Sequence, residues 1–390
     1  MHTFFATCPR GLESVLEHEL ATLGARDIAR VEGGVRFAGA LELACAANLE
    51  SRVASRVLWQ VAHAPYRSAR DIYDAVQAIA WNERFGVECT LRVDVSAVRS
   101  PVKSLDFVTL RIKDAVCDVF RAAHGSRPDV DTRSPDVRIS AFLSATHATL
   151  YLDTSGEPLF KRGYRRSAGE APLRENLAAG ILKLTGWTPG VPLLDPMCGS
   201  GTFLCEAAMI AADRAPGLER SFGFEKLAAF DRAAWQRLQD AARSRTRPLE
   251  GCSIYGSDRY GDALELARAN LAALGVEGAV TLKQADVLEM PAPASTGIIV
   301  TNPPYGVRLD DQDALAALYP KIGDALKRKY AGWIAYLFTA DLRLPKLIGL
   351  APSRRTPLFN GALECRLFEF KLVSGSMRKK PAATDKPGAP

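Results

Sequence analysis

Between Pro192 and Thr339 the chain repeats one unit: a short apolar run that closes in a turn, then a stretch long enough for a helix. The runs are "PLLDPM", "CSIYGSD", "AVTLKQAD", "GIIVTNP" and "GWIAYLFT", with helices expected from about Gly201, Tyr260 and Gln312. Apolar strands alternating with helices build a parallel sheet. Ligands of such open sheets bind at the carboxyl ends of the strands. The residues that close successive runs, Asp195, Asp258, Asp286 and Asn302, are therefore the first candidates for a site.

In "LLDPMCGSGTFLCEAA" a buried strand runs directly into glycines and then into a helix. Glycine lets the backbone approach a ligand, and the amides of a first helical turn have no internal partners, so this loop is a cradle. Gly199-Ser200-Gly201-Thr202 has neither the third glycine of a dinucleotide fingerprint nor the lysine of a phosphate loop. Asp195, just ahead of the glycines, would repel a pyrophosphate, and a cationic ligand fits better. Asp258 stands where ribose hydroxyls could donate to it, and Asp286 where an adenine amino group could. Either acid alone could be a helix cap. In register with the glycine loop they read as parts of one site.

The fourth run ends on "VTNPPYG", a rigid corner placed directly after a core strand. Taken together, "DPMCGSGT", "GSD", "QAD" and "NPPY", in that order after successive strands, resemble the motifs of class I S-adenosylmethionine-dependent methyltransferases that modify exocyclic amines. The resemblance implies an α/β fold: a class I (Rossmann-like) methyltransferase with a seven-stranded mixed sheet, largely parallel, with an antiparallel hairpin strand near its end. It also implies S-adenosylmethionine as cofactor. Asp195, Pro196, Cys198, Gly199, Ser200, Gly201 and Thr202 would lie near its amino-acid part, Asp258 and the adjoining Arg259 at the ribose, and Asp286 and Val287 at the adenine. Arg259 departs from the acidic or apolar residue expected there; it is expected to point away, leaving Tyr260 to cover the adenine face.

With that resemblance the corner acquires a catalytic role for Asn302, Pro303, Pro304 and Tyr305, and Asn302 also borders the cofactor. The exocyclic amine of a nucleobase is a poor nucleophile because its lone pair is delocalised into the ring. Two acceptors aimed at its protons, the Asn302 side-chain oxygen and the Pro303 carbonyl, would hold it in place and favour a more tetrahedral nitrogen. Proline fixes φ and hence the direction of the carbonyl. Tyr305 can stack on the base, and no strong general base is required.

Upstream, short strands and helices alternate without the parallel-sheet signature: "HTFFATC" as a strand, a helix opening at Pro9, "VEGGVRFAG" as a turn between strands, then a restart at "RVLWQVAHA" and a final hairpin around Thr146 and His147. This α+β region resembles a THUMP domain preceded by a ferredoxin-like module, an arrangement found on RNA-modifying enzymes. "GEPLFKRGYR", "APLRENLAAGIL" and "LFNGALECRLFEF" resemble segments of a bacterial family that methylates the exocyclic amine of guanine in large-subunit (23S) ribosomal RNA. On that resemblance Lys161, Arg162, Gly163, Tyr164 and Arg165 would line the cofactor and RNA entrance. Pro172, Leu173 and Glu175 would cover the cofactor, unless Glu175 caps or pairs on its own helix. Asn360, Gly361 and Arg366 fit the family's terminal hairpin. The expected domains are a ferredoxin-like module (1–55), a THUMP domain (56–155), a methyltransferase domain (156–374) and a disordered basic tail (375–390). Some members of the family carry a second methyltransferase domain, so one modification activity is expected here.

The chain has 390 residues, 47% of them hydrophobic and 24% charged, enough for two or three domains each with its own core. No secretory leader and no spanning apolar stretch are read, so a cytoplasmic protein is expected. The eight cysteines are scattered without metal-ligand spacing, and no metal is expected. The net charge of +6 is compatible with RNA, free or in a precursor ribosomal particle, without requiring it. Basic clusters at "KRGYRR", "ARSRTR" and "MRKK" each read equally well as solvated faces. Arg99, Lys103, Arg111, Lys113 and Arg138 could contact phosphates, which position a protein without specifying sequence. A DNA adenine methyltransferase and a non-catalytic RNA-binding assembly factor are the alternatives. A nicotinamide dehydrogenase is disfavoured by the missing third glycine and by the corner.

Overall fold

The computed structural model describes residues 1–165, 173–304 and 309–373. Pro172, Tyr305 and the expected tail lie outside the described residues. The amino-terminal region runs β1 (His2–Thr7), α1 (Glu13–Thr22), β2 (Arg26–Val31), β3 (Gly34–Gly39), α2 (Leu41–Glu50), β4 (Arg56–Pro65), α3 (Ala69–Gln77), β5 (Leu91–Ala97), α4 (Leu105–His124), β6 (Val137–Leu143) and β7 (His147–Asp153). Helix α1 starts later than Pro9 because the Pro9 carbonyl closes a turn, accepting from Leu12 N–H at 3.1 Å. The Glu13 carboxylate then accepts from the Gly11 and Gly33 amides, fixing the turn to the β2–β3 hairpin. Local signals set the other ends: Ser68 and Asp71 form a capping box on α3, and α4 stops at Gly125, whose φ of 70° only glycine adopts readily.

These strands form one sheet in the order β2-β3-β1-β4-β7-β6-β5, antiparallel except for β5 with β6. Strand β4 is shared: it pairs with β1 on one side and β7 on the other. The restart seen in the sequence at Arg56 is thus a continuation of the same sheet. Burial alternates along β1 and β6, so one face is packed and the other only partly covered.

The carboxyl-terminal region runs α5 (Glu175–Leu184), β8 (Leu193–Asp195), α6 (Thr202–Ala211), α7 (Arg232–Ser244), β9 (Ile254–Asp258), α8 (Gly261–Ala273), β10 (Val280–Gln284), β11 (Gly297–Thr301), α9 (Leu309–Lys329), β12 (Trp333–Thr339), α10 (Leu344–Leu347), β13 (Arg354–Asn360) and β14 (Leu363–Lys371). Its sheet has the order β10-β9-β8-β11-β12-β14-β13, parallel from β10 to β12 and antiparallel at β14 and β13. This is the expected seven-stranded mixed sheet. Helix α9 begins three residues before Gln312. Helix α7, which the strand rhythm did not anticipate, is capped by the Asp231 carboxylate on the amides of Ala233 and Ala234.

One apolar cluster extends from Phe4 on β1 to Val300 on β11, and a second, around Ile299, Tyr319, Trp333 and Phe370, covers the other face of the carboxyl-terminal sheet. The two regions meet intimately: a Cβ placed on Gly180 of α5 would lie 2.3 Å from Leu12 Cδ1. Buried polar groups cross the same boundary. Asn176 on α5 donates to Val53 O and Ser55 Oγ, and Arg52 donates to the carbonyls of Met209 and Arg214. The "ARSRTR" cluster is not a free face, since Arg245 pairs with Glu50 on α2 and with Asp213.

Candidate active site

The parallel strands bring Asp195, Asp258 and Asn302 to one edge because β8 is flanked by β9 and β11. Between β8 and α6 the chain turns at Gly199 (φ 51°) and Gly201 (φ 76°). A side chain at Gly201 would also press on Ala267 of α8 at 3.1 Å, whereas a Cβ on Gly199 would point into open space, so Gly199 serves conformation and access. The loop is anchored on every side. Cys198 N–H donates to Ser257 O (2.9 Å), Ser257 Oγ to Pro196 O (3.3 Å), Gly201 N–H to Cys198 O (2.8 Å), and Asn270 Nδ2 of α8 to Ser200 O (2.9 Å). Ser257 and Asn270 were not picked out from the sequence. They lie about 60 and 70 residues from the atoms they hold, and no local spacing reveals them.

Asp195 is 2% exposed, and its Oδ1 accepts from Met197 N–H at 3.2 Å. Burial, with the nearby Asp258 adding to it, pushes the Asp195 carboxyl up to about 7. Asp258 accepts from Gly199 N–H (2.9 Å) on one oxygen and from Tyr260 N–H (3.0 Å) on the other, so it holds the glycine loop to β9 and keeps spare acceptor capacity. Arg259 is exposed, and its guanidinium lies over the Tyr260 ring at 5.1 Å. Asp286 stands beyond Gln284, the last residue of β10, and accepts from Leu288 N–H at 2.9 Å in a tight turn; Val287 beside it is buried. At the corner, Asn302 Oδ1 is buried and has no hydrogen-bond partner among the described residues. Pro303 is buried too, and the Pro304 carbonyl is fixed by Tyr319 Oη at 3.2 Å.

In the described stretch 161–165, burial alternates from residue to residue. Lys161 and Gly163 face solvent, while Arg162 and Tyr164 turn inward. Both reach Glu206 on α6: Tyr164 Oη donates at 3.3 Å, and Arg162 Nε lies 3.5 Å away. Arg162, which also borders the cleft between the two regions, is a buried tie that donates to the carbonyls of Leu159 and Arg52. Burial raises the Glu206 carboxyl, with Arg162 and Arg52 opposing the shift. Arg165 is the link to the loop: it donates to Glu175 Oε1 (2.9 Å), Leu173 O (3.0 Å) and Thr202 Oγ1 (2.9 Å). Glu175 therefore pairs across to the preceding segment and not on its own helix. Arg138 is committed to Asp94, Lys113 to Asp114, Arg366 to Glu364, and Arg111 lies over Tyr73 at 4.3 Å.

A largely parallel α/β sheet with a glycine loop, acids at successive strand ends and an asparagine acceptor left unpaired among the described residues defines the Rossmann-like methyltransferase class. The family described as "RMKL-like, methyltransferase domain" matches residues 162–369, the THUMP domain residues 66–153, and the RlmL ferredoxin-like domain residues 3–58. The chain belongs to the family of RMKL-like methyltransferase domains. It is 40% identical, over 99% of its length, to the ribosomal RNA large subunit methyltransferase K/L of Aeromonas hydrophila, of which it covers 56%. The chain thus spans about half the length of the curated relatives it matches. Among solved structures, SMU.472 complexed with SAH superposes with a TM-score of 0.87 at 31% identity, covering 96% of this chain and 99% of that one. A Listeria monocytogenes protein described as a predicted N6-adenine-specific DNA methylase gives 0.86 at 28% identity, covering 95% and 96%.

Proposed function

We propose that this chain transfers a methyl group from S-adenosylmethionine to the exocyclic amine of a guanine in RNA, in large-subunit (23S) ribosomal RNA. The observation that carries the reading is Asn302 Oδ1, a buried acceptor just after β11 that has no partner among the described residues. A buried acceptor left unmade costs about 1–3 kcal/mol, which a donor from a bound substrate recovers. A base amine supplies such a donor. Asn302 Oδ1 and the Pro303 carbonyl then accept hydrogen bonds from its two N–H groups and orient its lone pair, while Tyr305 stacks on the base.

The cradle fits the cofactor. Gly199 leaves room where any side chain would project, and Asp258 and Asp286 present acceptors at adjoining strand ends. When bound, S-adenosylmethionine supplies a methyl group on a positively charged sulfur. The chain's residues receive it: Asp195, Pro196 and Cys198 to Thr202 hold the amino-acid part, Asp258 the ribose, Asp286 and Val287 the adenine, with Tyr164, Arg165, Leu173 and Glu175 as the wall. The complex of SMU.472 with SAH supports this cofactor.

The name of the Aeromonas relative supports ribosomal RNA as the substrate, and the THUMP match supports RNA over DNA. The target base must leave its stack to reach the corner. No described helix is long and apolar enough to cross a membrane, and we place the activity in the cytoplasm, with ribosome assembly. The test is transfer of radiolabelled methyl from S-adenosylmethionine to ribosomal RNA from cells lacking this protein, followed by nucleoside digestion and mass analysis. Label in guanine methylated on its exocyclic amine is expected. Label in adenine, or in DNA alone, would replace the guanine reading.

A further inference from the structure

A cleft of about 1050 Å³ lies between the amino-terminal region and the methyltransferase fold. Its walls come from the loop before β6, the irregular segment 156–165, the start of α5, the stretch around Arg220 and the β13–β14 turn. Seven arginine and lysine side chains line it, against four carboxylates. One end is built from the THUMP-matching region. The other reaches Arg165, whose guanidinium touches Thr202 at the start of α6, beside the glycine loop.

How these cations are held decides what the cleft can take. Arg220 is spent internally, donating to the carbonyls of Pro158, Lys161 and Glu157. Lys161 and Lys226 pair with Glu157 and Asp136, but all four side chains are at least partly exposed, and such pairs are worth only about 0–1 kcal/mol. A phosphate can therefore displace either carboxylate at little cost. Arg174 is different. It is exposed, its guanidinium lies over the Phe160 ring at 4.8 Å and beside Gly361, and no acceptor engages it among the described residues. Its plane is thus held by an aromatic ring while its donors remain available, the arrangement that suits a phosphate or an unpaired base.

We infer that this cleft binds a single-stranded stretch of the RNA substrate, with Arg174, Lys161 and Lys226 on its phosphates, and leads the strand from the THUMP region toward the Asn302 corner. The inference rests on the RNA reading above. A single strand is specified because bases locked in a duplex cannot lie against Arg174 or pass on to the corner.

The experiment titrates the full chain into a fluorescein-labelled single-stranded RNA of twelve nucleotides and mixed sequence, at several salt concentrations, with calorimetric SAH binding as the check on folding. Arg174→Ala combined with Lys226→Ala is expected to weaken RNA binding about tenfold and to reduce the log–log salt slope by about 1.4, which is 0.7 for each of two lost phosphates. SAH affinity should not change, and Arg174→Lys should recover part of the RNA affinity. Unchanged affinity and slope in the double variant, with wild type binding normally, would overturn the cleft assignment alone. Tighter binding of a duplex of equal length, equally weakened by the substitutions, would overturn the single-strand assignment. Failure of the wild-type chain to bind RNA while it still binds SAH would remove the RNA reading together with the cleft.

Discussion

The described residues form two sheets of seven strands each, and only one of them gathers the candidate site. In the carboxyl-terminal sheet β8, β9 and β11 run parallel, so their closing residues arrive at one edge and helices cover both faces. In the amino-terminal sheet neighbouring strands are mostly antiparallel, so consecutive loops fall at opposite ends and no edge collects them. Direction of pairing, more than strand number or composition, separates a site from a scaffold.

The contrast is broken or sharpened by substitution. The largest effect is expected from Asn302→Ala, which removes the acceptor proposed to act in the transition state: methyl transfer should fall about a hundredfold or more, measured as kcat on ribosomal RNA. Near-normal turnover would dissolve the claim that this edge is special. Next, Asp258→Ala loses the charge-assisted bonds that shape the glycine loop and the acceptor proposed for the ribose. Calorimetry should register S-adenosylmethionine affinity lower by about 1.5–3 kcal/mol, roughly tenfold to a hundredfold.

Asp195 gives a pH signature. An unfolded aspartate titrates near 3.9, whereas burial raises the folded group to about 7. A raised acid favours the folded state most below the unfolded value, and that stability is lost as pH rises toward the folded value. Thermal unfolding of the cofactor-free chain should therefore show a loss of up to about 1.4 kcal/mol per pH unit between roughly pH 4 and 7 from this group, and Asp195→Asn should abolish it. Because a cationic ligand favours the ionised carboxylate, cofactor binding near pH 6.5 should release protons, detectable as a dependence of calorimetric heat on buffer ionisation enthalpy. The smallest effects belong to the scaffold sheet. Lys103→Ala or Arg99→Ala should weaken RNA binding only a few-fold, each flattening the salt slope by about 0.7 or less.

What the sequence made legible follows the same division. The glycine loop, the acids and the corner were readable because each closes a local strand, and a parallel sheet converts local position into spatial proximity. The roles of Arg162 and Glu206 were not: the partners are 44 residues apart, and a basic run looks the same whether solvated or buried. Nor was the sharing of β4 visible, because its pairing with β1 joins segments about 50 residues apart that each look complete as strands. Helix α1 was misplaced at its start because Pro9 suits a first helical turn as well as the tight turn it makes, and only the Glu13 contacts with Gly11 and Gly33 decide between them.

The buried meeting of Arg52, Arg162, Glu206 and Tyr164 ties the two sheets together with directional bonds. Apolar surfaces can slide past one another at small cost, but charges without water tolerate little displacement. On the proposed RNA reading, the span between the amino-terminal region and the Asn302 corner therefore behaves as a ruler of fixed length. A substrate altered by one or two nucleotides between the gripped stretch and the target base should be misread outright, with methylation moving to the neighbouring base or stopping.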